Sequence, residues 1–532
     1  MGVTLPGPEA WPTENPVADP SVDLLRQRAD ATPDATALVD AAAAVDADAS
    51  SDAETAWTYG EFDERVAATA ARLDAVLDEA SADSRVGLLF GTRPAFARLY
   101  FAIQRLGATA VPLNLALDTP TLRSQATRAA LDCLVCADDT AGLAPKVAPS
   151  GTPVVSVDPV SADSIRSLAD VPGSGASSGR ERLLDDDAVV MFTSGTTGRP
   201  KGVRLTRRNL VASAVGSAVR LGVEPGDRWL VPLPTYHMGG LAPLVRSTLY
   251  GTTAVLQREF DADSTAAVMD EFGITCVSLV PTMLTRLLDA GWTPPHSLRF
   301  VLLGGAPAPP DLLARALDRG VPVCPTYGLT ETASQVATAT PEDVTTDPET
   351  VGRPLRCTEV AVLDDGGDPV ETGEVGELVV DGPTVTPGYL DGEHTRDAFG
   401  PAGLHTGDLG RADEDGRLRI EGRADDRIIT GGENVAPERV AAALRDHPAV
   451  ADVAVVGLPD EEWGERVAAL VAVEGGDAAE AVSAEELHAS VRDDLADFAV
   501  PKTIAVADSL PRTASGTVDR EAVVARLETV SE

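Results

Sequence analysis

The sequence predicts an α/β protein with a large N-terminal domain of helix-covered, mostly parallel sheets, a β-rich part, and a small α+β C-terminal domain. Apolar strand segments alternate with helical segments up to about residue 324, short β segments with Gly and Asp turns follow after about residue 350, and a short mixed series closes the chain. Strands that alternate with helices form parallel sheets covered by helices. The 532 residues are enough for at least two domains with large cores.

The N-terminal elements follow from apolar spacing. Residues 59–77 have the three- and four-residue spacing of an amphipathic helix, and a strand at 86–90, a helix at 94–107 and a strand at 110–114 follow. The same alternation predicts strands at 188–192, 228–231, 275–280, 300–303 and 321–324, each followed by a helix. This order favours a parallel sheet for most of the domain.

The C-terminal part has a different texture. Residues 376–389 and 409–423 are β-rich, and a helix at 437–448, strands at 450–459 and 467–473 and a helix at 483–498 follow. We therefore expect an irregular arm at 1–20, an N-terminal domain at 21–424 and a C-terminal domain at 425–532. Residues 40–56 are acidic and of low complexity, which is typical of a surface loop.

The charge balance limits the partners. The formal net charge is −40, although 44% of the residues are hydrophobic, so the chain is folded but repels nucleic acid and anionic membranes. Three of the 43 basic residues are lysines: Lys146, Lys201 and Lys502. A surface rich in Asp and poor in Lys is typical of proteins from a high-salt cytoplasm, and a GC-rich genome is the alternative explanation.

The cysteines and the N-terminus indicate a cytoplasmic protein. Five scattered cysteines do not form a disulfide framework. Cys133 and Cys136 have redox or zinc spacing, but their apolar surroundings favour packing in a buried strand. We expect no signal peptide, because the N-terminus is Pro-rich and acidic, and no membrane insertion, because no run of 18 apolar residues occurs.

The strongest chemical signal is a Gly- and hydroxyl-rich segment that follows the strand at 188–192. It comprises Thr193, Ser194, Gly195, Thr196, Thr197, Gly198 and, after two further residues, Lys201. Glycines permit close backbone approach, hydroxyls donate hydrogen bonds, and the lysine adds positive charge. We interpret the segment as a polyphosphate-binding loop, although its spacing is not that of the usual P-loop.

Several motifs in register resemble the adenylate-forming superfamily, which includes acyl-CoA synthetases, peptide-synthetase adenylation domains and luciferases. The segment at 193–202 is joined by Tyr327-Gly-Leu-Thr-Glu331, Thr406-Gly-Asp408, Gly422-Arg423 and Gly431-Gly-Glu-Asn434. The resemblance runs in order from about residue 58 to residue 527. It implies activation of a carboxylic acid by ATP and Mg²⁺ to an acyl-adenylate, and then transfer to the thiol of coenzyme A.

The resemblance also implies roles for individual residues. Tyr327 is expected to stack on adenine, Thr330 to contact the α-phosphate, and Glu331 to hold Mg²⁺ with Thr196. Further nucleotide contacts are expected from the ribose-binding Asp408, from Arg423, and from the loop Gly304, Gly305, Ala306 and Pro307. The small domain is expected to rotate between the two steps about a hinge at Asp425.

Three segments resemble the branch of the superfamily that ligates o-succinylbenzoate to coenzyme A in menaquinone biosynthesis: residues 234–251, 302–313 and 327–336. This acid carries two carboxylates, so one needs a counter-charge in the pocket. Arg246 lies in an apolar stretch, where it either binds that carboxylate or extends outward to solvent. The other candidates for the acyl pocket are His237, which is expected to be both catalytic and acyl-binding, and Ser278. The indication for Thr282 is weaker.

Rival functions remain open at this level. Another acyl- or aryl-CoA synthetase is the main competitor, and a peptide-synthetase adenylation domain is less favoured because a single predicted helix precedes Glu532, leaving no room for a fused carrier. The sequence does not address a luciferase substrate. A nucleotide-binding relative with impaired adenylation is a further alternative, since Thr517 stands where the superfamily has a catalytic lysine. Arg520 or Lys502 is the candidate replacement for that lysine.

Overall fold

The computed structural model describes residues 23–41, 55–78, 80–160, 165–173, 183–193, 200–424, 428–430, 433–435, 437–460, 463–473, 482–492, 495–512 and 518–531. The chain divides into two compact units, Met1–Val360 with Val380–Leu404, and Ala361–Val379 with His405–Glu532. The expected arm at 1–20, the hinge residue Asp425 and most of the acidic segment at 40–56 lie outside the described residues. The domain boundary at 424/425 and the rotation about it stay predictions.

Helices and strands are numbered separately along the chain. The helices are α1 (Leu24–Ala31), α2 (Tyr59–Leu77), α3 (Pro94–Leu106), α4 (Thr119–Arg128), α5 (Ala144–Val147), α6 (Arg207–Leu221), α7 (Met238–Tyr250), α8 (Ala262–Glu271), α9 (Pro281–Asp289), α10 (Pro310–Asp318), α11 (Pro341–Thr346), α12 (Gly392–Ala398), α13 (Pro437–Arg445), α14 (Ala484–Ser490) and α15 (Arg520–Ser531). The strands are β1 (Thr36–Asp40), β2 (Ala56–Thr58), β3 (Arg85–Leu89), β4 (Thr109–Pro112), β5 (Cys133–Cys136), β6 (Val154–Ser156), β7 (Arg166–Ser167), β8 (Asp187–Thr193), β9 (Lys201–Thr206), β10 (Arg228–Val231), β11 (Thr253–Leu256), β12 (Cys276–Leu279), β13 (Phe300–Leu303), β14 (Val323–Tyr327), β15 (Ala337–Thr338), β16 (Thr350–Pro354), β17 (Glu359–Leu363), β18 (Gly376–Asp381), β19 (Gly388–Tyr389), β20 (Phe399–Gly400), β21 (Gly403–Ala412), β22 (Leu418–Arg423), β23 (Ile428–Thr430), β24 (Glu433–Val435), β25 (Val450–Asp460), β26 (Gly464–Val473) and β27 (Thr503–Ala507).

The first unit contains two sheets that are parallel over most of their width. One has the order β16-β15-β14-β13-β12-β10-β11-β1-β2, with parallel pairing from β14 to β1. The other has the order β19-β9-β8-β4-β3-β5-β6-β7, with parallel pairing from β8 to β7. The predicted α/β class with mostly parallel sheets is confirmed.

Helix α2 shows how local sequence and packing agree. The Thr58 side chain accepts a hydrogen bond from the Glu61 backbone N–H, and the Glu61 carboxylate accepts one from the Thr58 backbone N–H, which closes a capping box. Phe62, Val66 and Leu73 lie on the buried face, and the Phe62 ring meets Phe101 of α3 edge to face at 6.1 Å. Burial of each such side chain contributes about 1.5–3 kcal/mol, so packing rather than the cap supplies most of the stability of α2.

Two predicted connections are wrong: a strand and not a helix follows β8, and a 3-10 helix and the antiparallel strand β15 follow β14. The strand expected at 188–192 is present as β8, but a second strand, β9, follows it before the helix α6 begins at Arg207. The two strands are antiparallel, with Lys201 opposite Thr193. The chain therefore reverses direction between β8 and β9, and the alternating apolar residues after the reversal continue as a strand instead of a helix.

The second unit is an α+β structure. Strands β21 and β22 form an antiparallel hairpin, and a separate sheet has the order β24-β23-β26-β25 with β27 parallel to β26. Helices α13 and α14 contribute Val440, Leu444 and Leu487 to one core with Val453 and Val467 of the long hairpin β25–β26. The predicted helix at 483–498 is shorter, because α14 ends at Ser490.

The cysteine prediction is confirmed. Cys133 and Cys136 lie in β5, both are buried, and neither forms a disulfide. Burial raises the pKa of the Cys133 thiol to about 12, so the thiol stays protonated and unreactive. Within the described residues, no helix has the length and apolar character needed to cross a membrane.

Candidate functional site

Loops from neighbouring parallel strands meet at one edge of the larger sheet. Strands β10, β12, β13 and β14 are parallel neighbours, so the segments that follow them leave from the same edge. A Cβ atom added to Gly304 would lie 2.7 Å from Cγ2 of Thr326, and one added to Gly305, whose φ is +82°, would lie 3.2 Å from Cγ1 of Val280. Ligands of open parallel sheets bind at this edge. The predicted loop of residues 304–307, with Ala306 and Pro307 exposed, belongs to it.

The segment after β14 carries three of the predicted nucleotide residues on a tight turn. Tyr327 ends β14, and a 3-10 helix covers Thr330–Thr332. A Cβ atom on Gly328 would lie 1.7 Å from the carbonyl oxygen of Ser334, so only glycine fits there. Ser334 itself has φ +116°, a conformation that costs about 1–3 kcal/mol for a residue with a side chain. Hydrogen bonds from the Ser334 N–H to the Leu329 carbonyl at 3.2 Å and from the Val336 N–H to the Tyr327 carbonyl at 2.8 Å close the turn.

Lys201 and Glu331 are linked through Tyr389. The Lys201 ammonium lies over the Tyr389 ring, 5.5 Å from its centroid, and the Tyr389 hydroxyl donates a hydrogen bond to Glu331 Oε1 at 3.1 Å. The Tyr389 side chain is buried, whereas Lys201 and Glu331 are half-buried. One aromatic side chain thus contacts both a cation, which suits a phosphate, and a carboxylate, which suits Mg²⁺.

The structure describes only the two ends of the predicted phosphate-binding loop. Thr193 ends β8 and Lys201 begins β9, and the backbones of these two residues are paired. Ser194, Gly195, Thr196, Thr197 and Gly198 lie outside the described residues, so their roles and the metal role of Thr196 stay predictions. The described residues contain no group of three or more His, Cys, Asp or Glu side chains able to hold a metal. A single carboxylate such as Glu331 still fits Mg²⁺, which is bound mostly by substrate phosphates and water.

Arg246 is the least expected side chain of the first unit. It is 1% exposed, so the alternative that it extends to solvent is wrong. Its guanidinium lies 5.4 Å from the centroid of the Trp229 ring, and Nη2 donates to Ser334 Oγ at 3.3 Å. No described carboxylate pairs with it, and its buried Nε has no hydrogen-bond partner among the described residues. Burial lowers the pKa of Arg246 below its usual value.

The surroundings of Arg246 connect it to the predicted acyl-binding residues. Trp229 on β10 donates from Nε1 to Ser278 Oγ on β12 at 3.1 Å, and both side chains are buried. The contact with Ser334 brings Arg246 to the same turn that carries Glu331. The structure therefore brings Arg246 and Ser278 together through Trp229, and Thr282 is half-buried on α9.

His237 lies at the N-terminal end of α7, directly after the loop that follows β10. Its ring meets Tyr236 edge to face at 4.9 Å, and its buried Nε2 has no hydrogen-bond partner among the described residues. Burial lowers the pKa of His237, so the imidazole is neutral at pH 7. A neutral ring with an unpaired buried nitrogen is able to contact a polar ligand group.

Asp408 and Arg423 lie opposite one another in the second unit. They are paired residues of the hairpin β21–β22, and Arg423 Nη1 is 3.4 Å from Asp408 Oδ1. The Asp408 backbone N–H donates to Thr406 Oγ1 at 3.0 Å, and the Thr406 hydroxyl donates to the Leu378 carbonyl at 2.7 Å. The structure thus brings together the two residues predicted to contact the ribose and phosphate.

The candidates for the missing lysine are both engaged within the second unit. Thr517 lies outside the described residues. Arg520, at the start of α15, has Nη2 3.7 Å from Glu438 Oε1, and the Lys502 ammonium lies over the Trp463 ring at 3.5 Å from its centroid.

Sequence reasoning did not identify Tyr389, Trp229 and Ser334 as site residues. Tyr389 lies in a strand of two residues, and Trp229 reads as an ordinary core residue of β10. The feature of the sequence that could have indicated Ser334 as a site residue is its position three residues after Glu331. Its contact with an arginine 88 positions earlier became visible only in three dimensions.

Comparisons with known proteins identify the family of the chain. The family described as AMP-binding enzyme matches residues 25–390, and the family described as AMP-binding enzyme C-terminal domain matches residues 439–517. A 2-succinylbenzoate–CoA ligase from Bacillus cereus is 37% identical over 494 residues, which is 92% of this chain and 95% of that protein.

Two solved structures are similar over nearly the whole chain. The o-succinylbenzoate CoA synthetase from Bacillus subtilis in complex with its acyl-adenylate intermediate matches with a TM-score of 0.83 and 32% identity, over 94% of this chain and 97% of that chain. The same synthetase in complex with ATP and a magnesium ion matches with a TM-score of 0.82 and 32% identity, over 95% of this chain and 99% of that chain.

Proposed function

The chain belongs to the family of AMP-binding enzymes, and from that membership we propose that it ligates o-succinylbenzoate to coenzyme A through an acyl-adenylate, as a step of menaquinone biosynthesis. It is an AMP-forming acid–thiol ligase that uses ATP, Mg²⁺ and coenzyme A. The roles of individual residues are part of the proposal.

In the first half-reaction, a carboxylate oxygen of the acid attacks the α-phosphorus of ATP, the bond to the β-phosphate oxygen breaks, and pyrophosphate leaves. The protein supplies no covalent nucleophile, so its contribution is orientation and charge stabilisation. Lys201, Thr330 and the loop from Thr193 to Gly198 contact phosphate oxygens, and Tyr327 stacks on adenine. Glu331, with Thr196, would hold Mg²⁺, which when bound neutralises charge on the phosphates.

We assign the recognition of the second carboxylate to Arg246, and this one residue carries the choice of substrate. A buried guanidinium without an ionic partner is unfavourable, by about 3–5 kcal/mol when a buried pair is broken. Arg246 contacts a ring and a hydroxyl, and no described carboxylate compensates its charge. An acid with a second carboxylate supplies the missing counter-charge, whereas a monocarboxylic acid leaves the guanidinium unpaired.

His237 and Ser278 complete the acyl site in this proposal. His237 is neutral, so it donates or accepts a hydrogen bond at the activated carboxyl without adding charge. Ser278 fixes the indole of Trp229, on which the guanidinium lies. Their roles are to orient the acid beside the α-phosphate.

In the second half-reaction, the thiol of coenzyme A attacks the acyl carbon, the bond to AMP breaks, and AMP leaves. Asp408 and Arg423 contact the ribose and the phosphate of the adenylate. The small domain changes its orientation between the two steps about Asp425. These assignments rest on the resemblance to the superfamily and on the pairing of Asp408 with Arg423.

Thr517 weakens the first half-reaction. A hydroxyl carries no charge, and loss of one preorganised electrostatic group typically costs about 10²- to 10³-fold in rate. We propose that adenylation is slow but real, with Arg520 or Lys502 as alternative cations at this step. We also place the enzyme in a cytoplasm of high salt, on the basis of its charge of −40.

The test of the substrate is an ATP–pyrophosphate exchange panel in molar KCl. The panel compares o-succinylbenzoate with 3-benzoylpropionate, which is the same acid without the ring carboxylate, and with benzoate and short to long fatty acids. We expect exchange with o-succinylbenzoate to exceed exchange with the others. Equal turnover of 3-benzoylpropionate or of medium-chain fatty acids would exclude the assignment, and no exchange with any acid would exclude a ligase.

A further inference from the structure

Thr386 is a buried residue that contacts three segments of the nucleotide site. It is 2% exposed and lies in the connection between β18 and β19. Its backbone N–H donates to the Glu331 carbonyl at 2.7 Å. Its hydroxyl accepts a hydrogen bond from the Gly388 N–H at 3.0 Å and donates to the Arg204 carbonyl, and the Gly388 carbonyl is also within reach at 2.8 Å. Thr386 belongs to none of the motifs that predict the nucleotide site.

These contacts also bear on the position of the Tyr389 side chain. Arg204 belongs to β9 and lies opposite Gly388 in the pairing of β9 with β19. Gly388 immediately precedes Tyr389, whose hydroxyl donates to the Glu331 carboxylate at 3.1 Å. Thr386 therefore holds Glu331 in two ways, directly through its backbone N–H and indirectly through the turn that places the Tyr389 ring.

The segment that carries Thr386 is also anchored by bonds that do not involve its hydroxyl. Asn209, near the start of α6, donates from Nδ2 to the Pro383 carbonyl at 3.0 Å and to the Val385 carbonyl at 2.7 Å. A variant that lacks the Thr386 hydroxyl should therefore keep the path of this segment. The hydroxyl itself connects the turn before Tyr389 to β9, so its removal should loosen that turn.

A small displacement matters at Glu331 because metal coordination is strict. Mg²⁺ requires near-ideal octahedral geometry with oxygen ligands at about 2.0–2.1 Å, so a carboxylate that is poorly placed binds it weakly. We propose that Thr386 is a positioning residue that sets the place of the Glu331 carboxylate for Mg²⁺ and thereby the affinity for Mg·ATP. This inference rests on the proposed function, in which Glu331 holds the metal.

The test compares wild type with two substitutions of the same residue. Thr386→Val keeps the shape of the side chain and removes its hydroxyl, whereas Thr386→Ser keeps the hydroxyl. The matched control is Thr384→Val, since Thr384 is also buried and its hydroxyl contacts Oγ1 of Thr358 at 3.2 Å. ATP binding is measured by calorimetric titration of the full chain in molar KCl, once with Mg²⁺ and once with EDTA.

We expect Thr386→Val to bind Mg·ATP about fivefold more weakly than wild type, on the scale of one lost hydrogen bond. Its affinity for ATP in EDTA should change little, because Glu331 acts through the metal. Thr386→Ser and Thr384→Val should bind both forms of ATP as wild type does. The Mg²⁺ concentration for half-maximal ATP–pyrophosphate exchange should rise in Thr386→Val and stay unchanged in the other two variants.

Several results would overturn the proposal. One is the same affinity for Mg·ATP in Thr386→Val and wild type, and another is an equal fall with Mg²⁺ and with EDTA, because the change then does not act through the metal ligand. An equal fall in Thr384→Val would show that any buried hydroxyl of this segment has the effect.

Thermal unfolding checks the fold of each variant, and Thr386→Ala is measured in parallel as a second variant without the hydroxyl. Loss of the fold in both Thr386→Val and Thr386→Ala would assign Thr386 a structural role only and would also overturn the proposal. Failure of the ligase assignment is distinct from these outcomes, because the exchange panel measures it on the wild type.

Discussion

The two ends of the candidate site hold their charges in opposite ways. At the nucleotide end, which we define as Lys201, Glu331 and Tyr389, the ammonium and the carboxylate are half-buried and share one aromatic ring. At the acyl end, defined as Arg246, Trp229, Ser278 and Ser334, the guanidinium is 1% exposed and has a ring and a hydroxyl as neighbours. The first end carries one charge of each sign, whereas the second carries a cation that we propose the substrate balances.

In the proposed function, this difference makes the nucleotide end general and the acyl end selective. A balanced, accessible pair binds a ligand that is itself hydrated and highly charged, such as Mg²⁺ with ATP. An unbalanced buried cation discriminates more strongly, because a ligand without the matching anion leaves it unpaired. Variants at the two ends should therefore fail in different ways.

The largest effect is expected for Lys201→Ala. Removal of the ammonium takes away a preorganised charge beside the phosphates, so adenylation should fall by about 10²- to 10³-fold. ATP–pyrophosphate exchange measures this rate, and thioester formation from supplied acyl-adenylate serves as the control. An exchange rate within threefold of wild type, which corresponds to a change of about 0.7 kcal/mol in activation free energy, would contradict a role of Lys201 in adenylation.

Arg246→Leu should break the acyl end alone. Loss of the charge-assisted contact should reduce kcat/KM for o-succinylbenzoate by an amount that corresponds to about 2–3 kcal/mol of activation free energy. The KM for ATP should stay the same. Steady-state kinetics with o-succinylbenzoate and 3-benzoylpropionate measure the effect, and the second acid should lose little.

The matched control for that variant is Arg207→Leu. Arg207 is also buried with an unpartnered Nε among the described residues, and its Nη2 donates to the Gln104 carbonyl. Its replacement should lower stability without changing the ratio of the two acids. If both arginine variants change that ratio equally, Arg246 has a structural role only.

Thr517→Lys should speed up adenylation, because the new lysine supplies a second cation for this step besides Lys201. We expect the exchange rate to rise by roughly tenfold or more, since a complete group of this kind contributes about 10²- to 10³-fold. Thioester formation from supplied acyl-adenylate should not change. If the variant has no effect and Arg520→Ala abolishes exchange, Arg520 performs the role and the slow-ligase interpretation is wrong.

Tyr389→Phe should give a smaller loss. The variant keeps the ring under Lys201 but removes the hydrogen bond to Glu331, which is worth about 1.5–3 kcal/mol for a charged acceptor when fully formed. We expect a moderate rise in the Mg²⁺ concentration required for half-maximal exchange. Tyr389→Leu, which also removes the ring, should lose more, and equal behaviour of the two variants would contradict the role of the hydroxyl.

The smallest effect for each charged side chain is expected when the KCl concentration is changed. The charge of −40 destabilises the compact state when unscreened, so the melting temperature and the activity should rise from dilute buffer towards molar KCl. Thermal unfolding and exchange at a series of KCl concentrations measure this. A melting temperature that stays flat or falls would refute the high-salt interpretation.

Much of the fold was predictable because local pattern and packing agree. The helix at 59–77 and the strands at 228–231 and 300–303 occur at the predicted residues, since their apolar spacing matches the faces they bury. Strand β9 was missed because its six residues follow a Gly-rich segment, and the motif suggested a strand-to-helix loop. The formation of a short strand depends on pairing with another strand, which the pattern of its own residues does not reveal.

The candidate site was predictable where a motif marks it. Tyr327, Thr330 and Glu331 belong to one continuous motif, and the structure places them on one turn. The sequence marks Arg246 as a candidate because it is a charged residue in an apolar segment. The direction of its side chain could not be predicted, because it depends on contacts with Trp229 and Ser334, which lie in other elements. Tyr389 carries no local signal, because its role follows from two contacts made across the fold.

With the residue roles that we propose, the turn after β14 limits the length of the acid that the enzyme accepts. Glu331 contacts the nucleotide end through Tyr389, and Ser334, three residues later, contacts Arg246. Three residues span at most about 10 Å, and backbone hydrogen bonds from the Ser334 N–H to the Leu329 carbonyl at 3.2 Å and from the Val336 N–H to the Tyr327 carbonyl at 2.8 Å close the turn. With the residue roles that we propose, the backbone of this single turn sets the distance between the reacting carboxyl of the substrate and its second carboxyl, and we expect a change of preferred chain length to require an insertion or deletion there and not a larger pocket.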